Sequence, residues 1–330
     1  MFMRPIQLPS DFAALSDILL ASFHYPENEA WSVQSDEKEQ LVDMIKNLAR
    51  LWPLIRGIQL LSPSLRDLLI GNIWEQDGKP VGTTIISRRG STDVWVIGTV
   101  AVMPEARRKG IARQLVETGI ELIRNKGGKK VLLSVIDGNV PAYSLYESLG
   151  FENYSRTIEF QFTPESTPPE PQLPPSYQLF PQDRFDWQPS YELDKRITPE
   201  NLQRYNPVEV GRYKEPAMAR LLAPNLKIAN GARDEFFLVR TTPAGDVIGR
   251  GSYRIPTRGK GVNILRLYLD PDHGELASAL VSAMLIKVLT ANPGLRAEFS
   301  VPSWMEAVVA AAQQVGFEER MSYCQMGLGL

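Results

Sequence analysis

Cysteine is almost absent: Cys324 is the single one among 330 residues. That excludes an intrachain disulfide and fits a reducing compartment. Histidine is nearly as scarce, and neither His24 nor His273 stands at a spacing that would gather ligands around a metal. No run reaches the roughly 18 consecutive apolar residues that a membrane-spanning helix needs. The opening MFMRPIQLPSDF lacks the apolar core of a secretory leader. The expectation is a cytoplasmic protein that uses neither metal nor membrane. A net charge of −2 gives no general attraction for nucleic acid. What is present is ordinary for a globular chain, 43% hydrophobic and 22% charged. The length suffices for two domains, each with its own core.

The charge that matters is local. Arg107-Arg108-Lys109-Gly110-Ile111-Ala112 stands between a β-branched run (Val94, Val96, Ile97, Thr99, Val100, Val102) and a segment of helical period through Ile111, Leu115, Val116, Leu122 and Ile123. Strand, tight basic loop, then helix aims unpaired backbone N–H groups and a positive helix end at one point. Such a point suits a phosphate or diphosphate. Gly110 permits φ > 0 and close approach of a ligand, Ala112 keeps the next turn small, and Arg113 adds charge. A solvated basic turn is the plainer alternative. The loop is neither a P-loop, which ends Gly-Lys-Ser/Thr, nor a three-glycine dinucleotide turn.

After the helix come a second apolar strand, Lys130 to Ile136, then Asp137-Gly138-Asn139, then Ala142-Tyr143-Ser144-Leu145-Tyr146-Glu147-Ser148-Leu149-Gly150-Phe151. The basic loop resembles the Arg/Gln-x-x-Gly-x-Gly/Ala loop of the GNAT superfamily of acyl-CoA-dependent N-acetyltransferases. The second stretch resembles that family's Asn…Ala-x-x-Leu-Tyr-x-x-x-Gly-Phe signature, in the expected order.

The elements repeat along the chain. A strand near Arg4, two helical regions and a hairpin at Asp77-Gly78 precede the loop. An alternating strand, Ser155 to Phe162, follows it. Residues 164–176 hold six prolines and read as a semi-rigid spacer. Beyond it stand a strand near Tyr177, helical segments to about Pro224, and strands Glu235–Thr241 and Val247–Tyr253 around Pro243-Ala244-Gly245-Asp246. Strand Asn263–Leu269, a helix from Glu275, strand Leu295–Val301, a helix from Trp304 and a last strand near Ser322 complete the series. Gly316-Phe317 occupies the place of Gly150-Phe151, as a tandem duplication produces. The expected fold class is therefore α/β (α+β): two tandem GNAT-like domains, each a mixed, mostly antiparallel sheet flanked by helices. Residues 1–163 form the active copy, 164–176 the linker and 177–330 a degenerate copy. In that second copy the loop position is the acidic Asp272-His273-Gly274-Glu275, and Ala312 stands where Tyr146 would. Arg258-Gly259-Lys260-Gly261 leads into a strand and reads as a hairpin turn.

The resemblance implies acetyl-CoA as co-substrate, no metal, and an amine acceptor. Residues 107–113 would bind the diphosphate; Val100, Ala101 and Val102 would offer a splayed strand edge to the pantetheine amides; Asn139 and Tyr143 would contact the same arm. Asn139 can equally be a helix cap. Tyr146 is the expected general acid, since a phenol of pKa about 10 can serve a thiol of about 8.5; it can instead simply pack helix on sheet. No carboxylate lies in strand 94–103. Asp137, Glu27, Glu29 or a water chain remain as candidate bases, and none is assigned. Family acceptors include small amines, aminoglycoside-like antibiotics, amino-thiol precursors and peptide N-termini. In two-copy mycothiol synthases the C-terminal copy resembles the active one, the reverse of this chain, which argues against that assignment. A non-catalytic acyl-CoA sensor is the alternative function, and homodimerisation stays open.

Overall fold

The structure is a computed structural model. It describes all residues except 1, 26–27, 62–66, 68, 165–167, 172, 184, 215–230, 242–244 and 258. Glu27, the segment approaching Pro224, part of the 243–246 turn and Arg258 therefore lie outside the described residues. The chain divides into two compact units.

The first unit holds Met1–Tyr154 and Gln325–Leu330. Its elements are β1 (Phe2–Pro5), α1 (Phe12–Ser22), a 3-10 turn (Glu29–Trp31), α2 (Ser35–Leu61), β2 (Ile70–Gln76), β3 (Lys79–Arg88), β4 (Val94–Val102), α3 (Ile111–Asn125), β5 (Lys130–Ile136) and α4 (Val140–Ser148). Strands β1 to β4 pair antiparallel in chain order. The hairpin between β2 and β3 turns on Asp77 and Gly78, both with positive φ, as the twist of a two-residue loop demands. Strand β5 joins β4 in parallel, but only from Val94–Lys130 to Val96–Leu132. Helix α3 lays Ile111, Leu115, Val116, Ile120 and Ile123 on the sheet, one apolar stripe of helical period.

Asp11 precedes α1 but its carboxylate does not cap the helix. It accepts from Arg4 Nη1 and Nη2 at 2.7 and 2.8 Å and from the Gln7 N–H at 2.6 Å. The charge-assisted bidentate pair outcompetes a cap. Helix α2 runs on through Pro53.

The second unit holds Ser155–Glu215 and Arg220–Cys324. It contains most of β6 (Glu152–Phe162), then β7 (Gln178–Pro181), α5 (Gln188–Ile197), α6 (Glu200–Gln203), α7 (Val210–Tyr213), β8 (Ala232–Arg240), β9 (Val247–Pro256), β10 (Asn263–Leu269), α8 (Ala277–Ala291), β11 (Ala297–Pro302), α9 (Glu306–Val315) and most of β12 (Glu318–Gly329). The parallel pair β10–β11 repeats β4–β5, and β7 to β10 pair antiparallel in order. Strand β6, which closes the first copy in sequence, pairs antiparallel with β11 from Thr157–Pro302 to Phe162–Ala297. The tail of β12 belongs to the first unit, where Gln325 Oε1 accepts from Ser134 Oγ at 2.7 Å. The run Pro271–Ala291 is long and apolar enough to cross a bilayer. Its Leu280, Val281, Leu285 and Val288 are fully buried in this unit's own core, which accounts for its apolarity.

Candidate active site

The first unit contains a cleft of about 540 Å³. Its walls come from the end of α1, the segment leading to α2, the second half of β4, the loop before α3, and the start of α4. The strand wall exists because β4 leaves β5. Ile85 of β3 faces Thr99, and Ile86 faces Ile97, so Gly98 is an extra residue in β4. A bulge bends its strand and increases local twist; glycine in a strand interior is its usual mark. Past Val96 the β4 edge has no pairing with β5, and Val100, Ala101 and Val102 line the cleft there.

The loop has the expected geometry. Gly110 sits at φ 75° as the residue before α3, and Arg108 also adopts positive φ, 63°. Among the described residues, no protein acceptor takes the N–H of any residue from Arg108 to Arg113. Gln114 is the next donor, to the Gly110 carbonyl at 3.2 Å. A row of unused N–H groups beside alternating left-handed residues is an anion-binding concavity.

The basic side chains divide the work differently from expectation. Arg107 Nε donates to the Val102 carbonyl at 3.2 Å and Nη2 to the Ser22 carbonyl at 2.9 Å, so it ties α1 to the end of β4. Arg113 Nη2 donates to Ser148 Oγ at 2.6 Å, linking α3 to α4. Arg108 has no side-chain partner among the described residues and lines the cleft. Lys109 reaches out to Gln76 Oε1 at 3.4 Å and is not among the lining residues; neither is Tyr143. Ile111, Ala112 and Asn139 do line it. Asn139 Oδ1 accepts from the Ala142 N–H at 3.3 Å, so it caps α4 while its side of the turn faces the cleft.

Tyr146 lines the same cleft and is buried. Its ring meets Phe151 edge-on, centroids 6.0 Å apart. Burial, with Tyr25 nearby adding a smaller effect, pushes the phenol up to about 12: the charged form loses hydration that nothing replaces. Asp137 and Glu29 are exposed and absent from the lining residues.

Sequence reasoning missed four of the lining residues: Ser22, Phe23, Tyr25 and Trp31. The signal available was an aromatic pair in a stretch without helical period. In the second copy, Pro271–Leu276 forms a 3-10 helix in the loop position. A Cβ at Gly274 would come within 2.9 Å of Ala307 Cβ, so α9 packs directly on that loop.

Residues 18–151 match the model of the Acetyltransferase (GNAT) family. The mycothiol acetyltransferase of Thermomonospora curvata is 31% identical over 141 residues, 42% of this chain and 40% of that protein. N-alpha-acetyltransferase 30 of Schizosaccharomyces pombe is 33% identical over 72 residues, 22% of this chain and 48% of that one. The chain thus spans less than half the length of these curated relatives. Among solved structures, a tandem GNAT protein from the clavulanic acid biosynthesis pathway superimposes with a TM-score of 0.64 at 17% identity, covering 99% of this chain and 98% of its own. A GCN5-related N-acetyltransferase from Sphaerobacter thermophilus gives 0.63 at 15% identity, with 99% and 95% covered. These likenesses establish the two-copy fold over the whole chain. The match to the acetyltransferase (GNAT) family falls on residues 18–151, the part of the chain that bears the cleft.

Proposed function

We propose that the first unit transfers an acetyl group from acetyl-CoA to the amine of a small molecule or peptide, by direct attack in a ternary complex. One observation carries this reading: Arg108 and Gly110 to Arg113 with their free N–H groups, the unpaired edge of β4 and Tyr146 all line one cleft. The first suits the diphosphate. The second offers donors and acceptors at strand spacing to the pantetheine amides, and an N–H there can stabilise charge on the thioester oxygen.

Attack forms the N–C bond and collapse breaks C–S, so one proton must leave nitrogen and one must reach sulfur. A phenol held near 12 stays protonated at neutral pH and can therefore act as donor. Against a hydrated thiolate of about 8.5, full transfer would be uphill by about 5 kcal/mol. Tyr146 accordingly donates a hydrogen bond to sulfur as the bond breaks, and transfer completes because a thiolate in the same cleft is as poorly hydrated as the phenol. The amine proton leaves to solvent, and the Tyr146 phenolate takes one back from solvent before the next turnover.

The acceptor in the relatives' names is not carried over, because the similarity spans 40% of the mycothiol acetyltransferase of Thermomonospora curvata. Calorimetry with acetyl-CoA, followed by thiol release against a panel of amines, tests the proposal. Binding with turnover supports it; binding without turnover on any amine would favour a sensor.

A further inference from the structure

The cleft is lined by two chemically unlike sets of side chains. Arg107, Arg108 and Arg113 supply charge to its lining, and Phe23, Tyr25 and Trp31 supply aromatic rings. The mechanism above needs none of the three aromatic rings. Tyr25 and Trp31 meet edge to face, centroids 5.8 Å apart and planes at 84°, so together they make a corner with two walls.

That corner is held in place. The Trp31 indole lies over Gly138, where a Cβ would come within 3.3 Å of the ring. Ser32 Oγ accepts from the Tyr25 N–H at 2.8 Å and donates to the Tyr25 carbonyl at 3.2 Å. The Val33 N–H donates to the Phe23 carbonyl at 3.1 Å, and Asn28 Oδ1 accepts from the Ala30 N–H at 3.2 Å at the start of the turn bearing Trp31. Rings fixed before a ligand arrives lose little freedom when one binds. They offer an apolar surface whose coverage is favourable and whose right-angled geometry suits a third ring.

We infer that the acceptor amine carries a flat aromatic body that seats in the Tyr25–Trp31 corner and presents its nitrogen toward the thioester. The inference rests on the transfer reaction proposed above and adds the class of acceptor. A hydrophilic amine would leave the corner uncovered, and a flexible alkyl chain would pay rotamer entropy to cover it.

The test uses the full chain with benzylamine, n-heptylamine of equal carbon count, and ethanolamine. Thiol release should give benzylamine a kcat/KM about 10-fold above both others, equivalent to roughly 1.4 kcal/mol. Trp31→Leu, which keeps apolar bulk without the ring, should bring the three within about twofold, and Trp31→Phe should restore most of the preference. Acetyl-CoA affinity by calorimetry should change less than about threefold in both variants. Equal use of the three amines by the wild type, or a preference that survives Trp31→Leu, would overturn the inference. Calorimetric binding of benzylamine separates it from the parent reading. Binding lost in Trp31→Leu with no thiol released from any amine keeps the corner and sinks the transfer; release from ethanolamine alone keeps the transfer and sinks the corner.

Discussion

The Arg107 guanidinium donates to the Ser22 carbonyl at 2.9 Å. The first basic residue of the loop thereby becomes a brace between the C-terminal end of α1 and the end of β4, and the neighbouring Arg108, with no partner among the described residues, is the one available to an anion. Charge in the loop and charge for the ligand are separate quantities.

Exchanging these two residues should separate stability from affinity. Arg107→Ala removes two charge-assisted hydrogen bonds and should lower unfolding free energy by about 2 kcal/mol. Arg108→Asn keeps a residue that tolerates positive φ. It should weaken acetyl-CoA binding about 10-fold, with a smaller salt dependence than the wild type. Thermal unfolding and calorimetry at two ionic strengths measure both. Equal loss of affinity in the two variants would mean that Arg107 leaves its brace to reach the ligand.

Tyr146→Phe should lower turnover with little change in acetyl-CoA affinity. The shifted phenol also makes a claim about pH. Its folded pKa, about 12, lies above the unfolded value of about 10, so the native state holds this proton more tightly. The contribution is fully present below pH 10 and is lost as pH rises toward 12, by up to about 3 kcal/mol. Denaturant unfolding at pH 9 and pH 11.5 should show the wild type losing more stability than Tyr146→Phe, and turnover should show no loss from phenol ionisation below pH 10. Parallel losses in the two proteins would place the phenol in water.

Much of this architecture was legible because its signals are local. Gly110 ahead of a strongly periodic helix announces a loop and its helix, Asp77-Gly78 announces a hairpin, and the repeated element order announces two copies. What stayed hidden depends on partners distant in sequence. Nothing in the alternation of Ser155 to Phe162 says that it pairs with Ala297–Pro302. Tyr25 and Trp31 join the cleft through tertiary packing, and Arg107 turns to a carbonyl of α1. Gly98 is the exception, since a glycine inside a β-branched run is itself a bulge signal.

Gly110→Ala isolates backbone shape from contact. A Cβ there would find only Gln114 Nε2 at 4.0 Å, so space is not the obstacle; φ of 75° is. The left-handed backbone costs an alanine about 1 kcal/mol. A loop that relaxes to escape that strain turns its N–H groups away from a common point. Unfolding free energy should fall by about 1 kcal/mol and acetyl-CoA affinity about 10-fold, whereas turnover at saturation should be nearly kept. Affinity equal to the wild type would show that the N–H row is not what holds the coenzyme.

The second copy should stabilise the chain without touching the chemistry. Its buried Asp194 receives Arg250 Nε and Nη2, each at 2.7 Å, and the Tyr213 hydroxyl. Arg250 also lies over the Tyr268 ring, 4.0 Å from its centroid. Asp194→Ala leaves that guanidinium without its counter-charge and three donors without an acceptor. Breaking one side of such a pair costs about 3 kcal/mol, a fall in Tm of roughly 6 to 12 °C. Every residue lining the cleft belongs to the first unit, so acetyl-CoA affinity at 25 °C should stay within about twofold of the wild type. Calorimetry on Asp194→Ala well below its Tm decides the point: a large loss of binding there would make the second copy a working part of the site.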